Sequence, residues 1–522
     1  MKYFFKFLLF FQASLFGFNL LAQEELLPIS QIRDIGRKQS VEQELRDLNL
    51  DTSDLKKENG DKKELSKKDQ DSLKKDAAQE KPAMEYDFFP KQVDRKFDIN
   101  LQGYVAIEGM YDTRQVIGYK YNEYTLFPAP QKLDATGLDI NDKSQFNMSG
   151  VRGTLTLNVK GPDIWDAISR AQIEGDFSGI NDDTVSLFRL KKAFAKFEWE
   201  NSSVMFGQYY HPIVLDELFP ETISFGRGII YDPFRYAPQI KFRHKIDQLE
   251  FVLAISKRFD SKASRTAAMP DLYGQINLNV GEHLFGAGIN YHSEIPRLYS
   301  EISANFKELD CIDEVSENKT FKTTEGVDSI YPFVFAKLHV HPFDIRMKAT
   351  YAENGNVYSL IGGYNVLSRN ERTDEKIYIN TRTLACWADI IYNRLTSFEP
   401  AVFIGVSKNF GASKNIVKGY PEGLDESVTD PDFLTLLQVE NATTGIDYTF
   451  ICAPRLRVKF GELNISAELE YTRASFARPF TDPDWEKDFN SNGAVICGTP
   501  ANNFRILLAT FYNFDYNPFV KG

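Results

Sequence analysis

The segment Phe97–Asp112 (FDINLQGYVAIEGMYD) alternates with period two for sixteen positions. Phe97, Ile99, Leu101, Gly103, Val105, Ile107, Gly109 and Tyr111 hold one parity, while Asp98, Asn100, Gln102, Glu108 and Asp112 lie on the other. Successive side chains of a strand point to opposite faces, so this pattern makes one apolar face and one mostly polar face. Strands in soluble proteins run about five or six residues. Crossing a bilayer takes about nine to eleven. The segment is long enough to cross, and the pattern recurs at Val151–Val159, Arg170–Phe177, Phe343–Tyr351 and Leu463–Tyr471.

Ile446–Phe460 keeps its apolar parity from Ile446 through Cys452 and Pro454 to Phe460. A turn at Pro454 would break that phase, so the segment reads as one strand with Pro454 outside the hydrogen-bonded ladder, as in a bulge. The strand count is then sixteen. Short turns fall near 161–167, 200–202, 244–248, 281–282, 341–342, 393–399 and 461–462, and long loops between them. Short turns on one rim, long loops on the other and an even strand number mark an outer-membrane barrel. A soluble sandwich gives no reason for that alternation. The expected fold class is all-β: an antiparallel transmembrane β-barrel spanning residues 97–519 and facing outer-membrane lipid.

The first 96 residues read differently. Lys2 and Lys6, the apolar run Phe7–Leu21 and the small Ala22 resemble a secretory signal over residues 1–22. Ile29, Ile32, Ile35, Val41, Leu45 and Leu48 give a helical stripe, a coiled-coil candidate over 23–53. Residues 54–96 are dominated by charged and polar groups and read as a linker.

If the apolar parity faces lipid, the polar parity lines the interior. Its cations include Arg152, Arg170, Lys192, Lys196, Lys241, Arg243, Arg346, Lys348, Arg455 and Arg457. They outnumber the carboxylates on the same parity, although the chain has a net charge of -12. A basic lane in a low-dielectric wall favours small anionic solutes. The Pro- and Gly-bearing loop Tyr209–Ala237 is a candidate constriction, with Arg227 and Arg235 facing solute. The acidic balance disfavours nucleic-acid partners. No GxSxG, HExxH or phosphate-loop pattern occurs, so no enzyme, metal or cofactor is expected. His339 and His341 share a strand face but lack further ligands at useful spacing. Cys311 and Cys497 fall in loops and are candidates for a disulfide. The competing reading is a structural or adhesive barrel that tethers the membrane to the cell wall.

Phe188–Phe197 (FRLKKAFAKF), Met205–Tyr209 (MFGQY), Phe219–Ile223 (FPETI), Arg235–Phe242 (RYAPQIKF) and Pro270–Leu272 (PDL) resemble early-barrel motifs of the DcaP-like porins. The resemblance covers roughly residues 188–272; elsewhere only the layout matches. It implies a trimeric, sixteen-stranded channel with an N-terminal coiled coil and a preference for small anions. It also implies that Arg189, Lys191 and Arg235 lie at or near the pore. The tail after Phe514 departs from the usual aromatic C-terminus of such barrels.

Overall fold

The computed structural model describes residues 97–516, except 121–122, 180–183, 227, 259–261, 303–318, 371, 396, 418–444, 479–481 and 483. The signal, coiled-coil and linker segments, Cys311 and Arg227 lie outside the described residues.

Sixteen antiparallel strands close a ring. In chain order they are β1 (Asp98–Asp112), β2 (Gln145–Ser149, resuming as Gly153–Lys160), β3 (Ile168–Asp176), β4 (Arg189–Glu198), β5 (Ser202–Tyr210), β6 (Tyr236–Ile246), β7 (Leu249–Ser256) and β8 (Asp271–Val280). They continue as β9 (His283–Glu294), β10 (Val327–Val340), β11 (Phe343–Glu353), β12 (Lys376–Tyr392), β13 (Phe398–Ala412), β14 (Ile446–Phe460), β15 (Leu463–Phe476) and β16 (Thr499–Tyr516). Each strand pairs with its sequence neighbours, and β16 pairs with β1 from Tyr516 opposite Leu101 to Arg505 opposite Asp112. That last pairing removes the sheet edge, so no backbone ladder is left open to lipid.

The period-two pattern sets the two faces. On β1, Val105 and Ile107 are 58% and 53% exposed, while the neighbouring Ala106, Glu108 and Met110 are buried. Leu155, Ile173, Leu253, Val334 and Leu469 are exposed on the same outer side. A continuous exposed apolar band on a closed cylinder is the lipid-facing surface of an outer-membrane barrel. All seven connections expected to be short join strands at one rim.

Three of the irregularities that shift the phase matter for which side chains face inward. Glu108 pairs with Ser149 but Val105 with Gly153, so β2 gains one residue across its break. Glu174 pairs with Lys192 but Gly175 with Leu190, which leaves Lys191 as an extra residue on β4. Ile446 pairs with Phe476 but Tyr448 with Ser475. The last corrects the uniform parity expected of Ile446–Phe460: Ile446 is buried inside, whereas Leu456 and Phe460 are exposed outside. Pro454 itself makes no bulge. The β14–β15 register is the same at Cys452–Tyr471 and Arg455–Glu468, and the pairing lapses between them. That leaves the proline's missing N–H without a ladder to serve.

The interior is not an empty tube. A large apolar cluster inside the ring combines wall residues such as Phe333, Phe335, Trp387 and Phe403 with loop residues Ile213, Leu218, Ile230 and Leu360. Burying side chains of this size contributes about 1.5–3 kcal/mol each. The loops are therefore packed into the lumen by the hydrophobic effect.

Candidate functional site: a loop across the lumen

Residues 211–235 join β5 to β6 and reach the far wall. Arg346 on β11 donates to Phe219 O at 2.8 Å and to Glu221 Oε1 at 2.6 Å. Lys348, also on β11, donates to Ile213 O and Asp232 Oδ1, each at 2.8 Å. Asp389 on β12 accepts the Glu221 N–H at 2.9 Å. Glu468 on β15 accepts the N–H groups of Ile223 and Ser224 at 2.8 and 3.0 Å. Arg152, in the break of β2, donates to Ile223 O at 2.6 Å. The loop is thus pinned across the lumen to β11, β12 and β15, and to Arg152 beside β2.

Packing fixes the same path. Tyr231 of the loop lies on Gly405 of β13, where a Cβ atom would stand 2.6 Å from the ring. Only glycine permits that approach. The 355–358 turn holds the returning end: Phe234 N–H donates to Tyr358 O, and Arg235 Nε donates to Val357 O at 3.1 Å. Phe225 packs at a tilt against Tyr124 of the hairpin formed by Val116–Tyr119 and Tyr124–Pro128, with ring centroids 4.6 Å apart.

Most of the basic lane has carboxylate partners. Arg152 pairs with Glu108, Arg170 and Lys196 with Glu198, Arg189 with Asp176, and Lys191 and Lys192 with Glu174. Arg243 pairs with Glu217, Arg346 with Glu221, Lys348 with Asp232, and Arg455 with Asp389. Arg457 reaches Glu399 at 2.7 Å and Glu221 at 3.4 Å. Strict alternation cannot put both Lys191 and Lys192 inside. The extra residue on β4 does so, and both ammonium groups lie 2.8 Å from Glu174. Arg235 is half-buried against the 355–358 turn.

Lys241 on β6 differs. Its ammonium lies 5.0 Å from the Tyr209 ring centroid, and among the described residues no carboxylate comes within ion-pair distance. It lines a cavity of about 250 Å³ between the β4–β6 wall and the loop's Asp216–Leu218 turn. Phe194, Lys196, Ser203, Met205, Tyr209, Asp216, Glu217 and Arg243 complete the lining. Three cations on the wall thus face two carboxylates on the loop. Burial alone would raise the Glu217 carboxyl, but Arg243 outweighs it and holds the group below the usual carboxylate range. Burial, overcome by Arg346 and then Arg457, acts on Glu221 in the same way. Glu217 and Glu221 are therefore ionised at neutral pH, whereas burial raises the Asp216 carboxyl above the usual carboxylate range.

Alternation along single strands does not reveal several of these partners. Asp389 lies in the apolar run Ala388–Ile391, where an isolated carboxylate on the interior parity is the available signal. His211, Asp271 and His292 are buried together at the long-loop rim, and nothing in their sequence spacing brings them together. No group of three or more His, Cys, Asp or Glu among the described residues is arranged to hold a metal ion.

No protein-family model matches the chain, and no curated protein matches its sequence. Solved structures do match. The outer membrane channel DcaP of Acinetobacter baumannii aligns with a TM-score of 0.53 at 16% identity, over 80% of this chain and 97% of that one. The chain has the DcaP-like porin fold. An anion-selective porin from Comamonas acidovorans aligns with a TM-score of 0.44 at 10% identity, over 80% of this chain and 100% of that one. In this DcaP-like barrel the early motifs Phe188–Phe197 and Arg235–Phe242 form β4 and open β6, the strands that carry the lumen cations beside the crossing loop.

Proposed function

We propose that this DcaP-like barrel is a passive diffusion channel for small hydrophilic anions, working as a homotrimer. The observation that carries the anion preference is Lys241. Most other lumen cations are neutralised by a neighbour, whereas this one faces the cavity beside Lys196 and Arg243 without a carboxylate at ion-pair distance. An unbalanced fixed charge in a narrow passage raises the local concentration of counter-ions. The aromatic flank of Phe194 and Tyr209 suits solutes with an apolar body. Trimer assembly rests on the resemblance to the DcaP-like porins, and chemical crosslinking of the purified protein tests it.

Reversal potentials across planar bilayers in a potassium chloride gradient test the selectivity. The wild type is expected to pass chloride in preference to potassium. Lys241→Gln removes one unit charge. At roughly 7 Å in water that charge is worth about 0.6 kcal/mol in favour of chloride and as much against potassium, or about a sevenfold fall in the permeability ratio. Cation preference in the wild type overturns the anion assignment. Absence of any conductance favours the tethering barrel.

A further inference from the structure

We infer that His211 is a proton-operated latch at the root of the crossing loop, and that protonating its Nδ1 atom unseats the loop and narrows the channel. The inference rests on the porin reading and adds regulation to it. His211 is the first residue after β5 and is fully buried. Its Nδ1 atom accepts the N–H of Ile213 at 3.3 Å. Its carbonyl accepts the N–H of Val214 at 2.9 Å, so both bonds define the loop's first turn. Nε2 lies 3.1 Å from Asp271 Oδ2 and 2.9 Å from Ser256 Oγ. An Nδ1 atom that accepts a hydrogen bond carries no proton. The imidazole is therefore neutral, with its hydrogen on Nε2 aimed at Asp271.

The surroundings oppose a second proton. Asp271 at the start of β8 also accepts Tyr358 OH at 3.0 Å and meets His292 Nδ1 at 2.7 Å. His292 Nε2 faces Glu294 at 3.6 Å, and Glu294 accepts Asn354 Nδ2 at 2.7 Å. His292 thus lies between the Asp271 and Glu294 carboxylates. Arg258 lies close enough to repel a charge on His211, and Lys257 interacts with Asp271 from the same loop. Burial is the largest influence on His211 and lowers its proton affinity, Asp271 only partly offsets this, and the group titrates below the ordinary histidine value.

When Nδ1 does take a proton, it presents a donor to the Ile213 N–H, and two donors cannot bond. Ile213 is also a wall anchor, because its carbonyl holds Lys348. Losing the turn at Ile213 therefore loosens the loop from the β11 wall. A loop released from the wall moves toward the remaining passage.

The test is the conductance of the full purified channel in planar bilayers, from about pH 8 to about pH 4. The expected wild-type result is a conductance at least halved at the acid end, with the midpoint below the ordinary histidine range. His211→Asn keeps an amide oxygen for the Ile213 N–H but cannot titrate. It is expected to conduct normally at neutral pH and to lose the acid transition. His292→Gln is expected to keep the transition. Flat wild-type conductance, or a transition that survives in His211→Asn, overturns the latch and leaves the porin reading intact. No conductance at any pH counts against the porin reading itself. If His211→Asn does not fold, nuclear magnetic resonance of the six histidines in the wild type decides. One imidazole must titrate together with the conductance, and its absence overturns the latch.

Discussion

Arg346 on β11 and Glu221 in the crossing loop meet at 2.6 Å, and Arg457 on β14 approaches the same carboxylate at 3.4 Å. One loop carboxylate thus offsets two wall guanidinium groups at the far side of the lumen. It ties the loop down and mutes the positive charge of the wall.

Glu221→Gln is expected to raise anion preference. The glutamine keeps the shape and removes one negative charge. Removing that charge at roughly 7 Å from a passing ion in water changes the permeability ratio about sevenfold. Reversal potentials check this directly. A shift toward potassium would show that Glu221 acts only as a structural tie.

Lys348→Met is expected to free the loop. Lys348 is buried and bonded to both Ile213 O and Asp232, and removing it leaves the Asp232 carboxylate buried without its partner. Breaking one side of such a pair costs about 3–5 kcal/mol. The barrel ladder does not depend on this contact, so the variant should still resist heat as a folded band on a gel. Limited proteolysis after loop residues, and noisier single-channel current, are the expected readouts. Protease resistance equal to wild type would show that the apolar contacts alone hold the loop.

The barrel was legible because period-two alternation and turn spacing are local properties of the chain. Val105 against Glu108, or Leu469 against Glu468, announces its face from adjacent residues. The site was less legible because its contacts join distant residues. Glu221 and Arg457 are paired across the lumen, and Asp389 on β12 reaches Arg455 on β14 past the intervening β13. Phase shifts hid more. An extra residue at Lys191 brings two adjacent lysines to one carboxylate, which an unbroken period-two reading has no place for. Arg152 keeps the interior parity of Val151–Val159, but its partner Glu108 lies on another strand. Composition showed a surplus of interior cations, but not that their neighbours neutralise most of them.

Lys120 predicts a pH effect on loop packing. Its side chain is buried and donates to Ser178 Oγ and Gly179 O at 3.0 and 2.9 Å. Burial, then repulsion from Arg189, pulls its pKa down from the ordinary 10.5 to about 7. Below about 7 the ammonium is charged in both folded and unfolded chains, and its burial counts fully against the fold. As pH rises from about 7 toward 10.5, the folded side chain sheds its proton first and the penalty is relieved. Wild type should therefore gain thermal stability relative to Lys120→Met over that window, measured as the temperature at which the folded gel band is lost. Parallel curves for the two proteins would rule the effect out.

Leu155→Arg tests the outer face. Leu155 is 42% exposed on the apolar side of β2, opposite Gly103 of β1. An arginine facing hydrocarbon costs about 2–4 kcal/mol at the bilayer midplane and less toward the interfaces. Thr156, one position along, points inward and is half-buried. Thr156→Arg should insert nearly as well as wild type, because its charge enters water in the lumen. The fraction of each protein that folds into lipid vesicles checks the pair. Equal folding of both variants would contradict a cylinder with a lipid-facing outer surface, whereas a deficit confined to Leu155→Arg follows directly from the alternation that begins at Phe97.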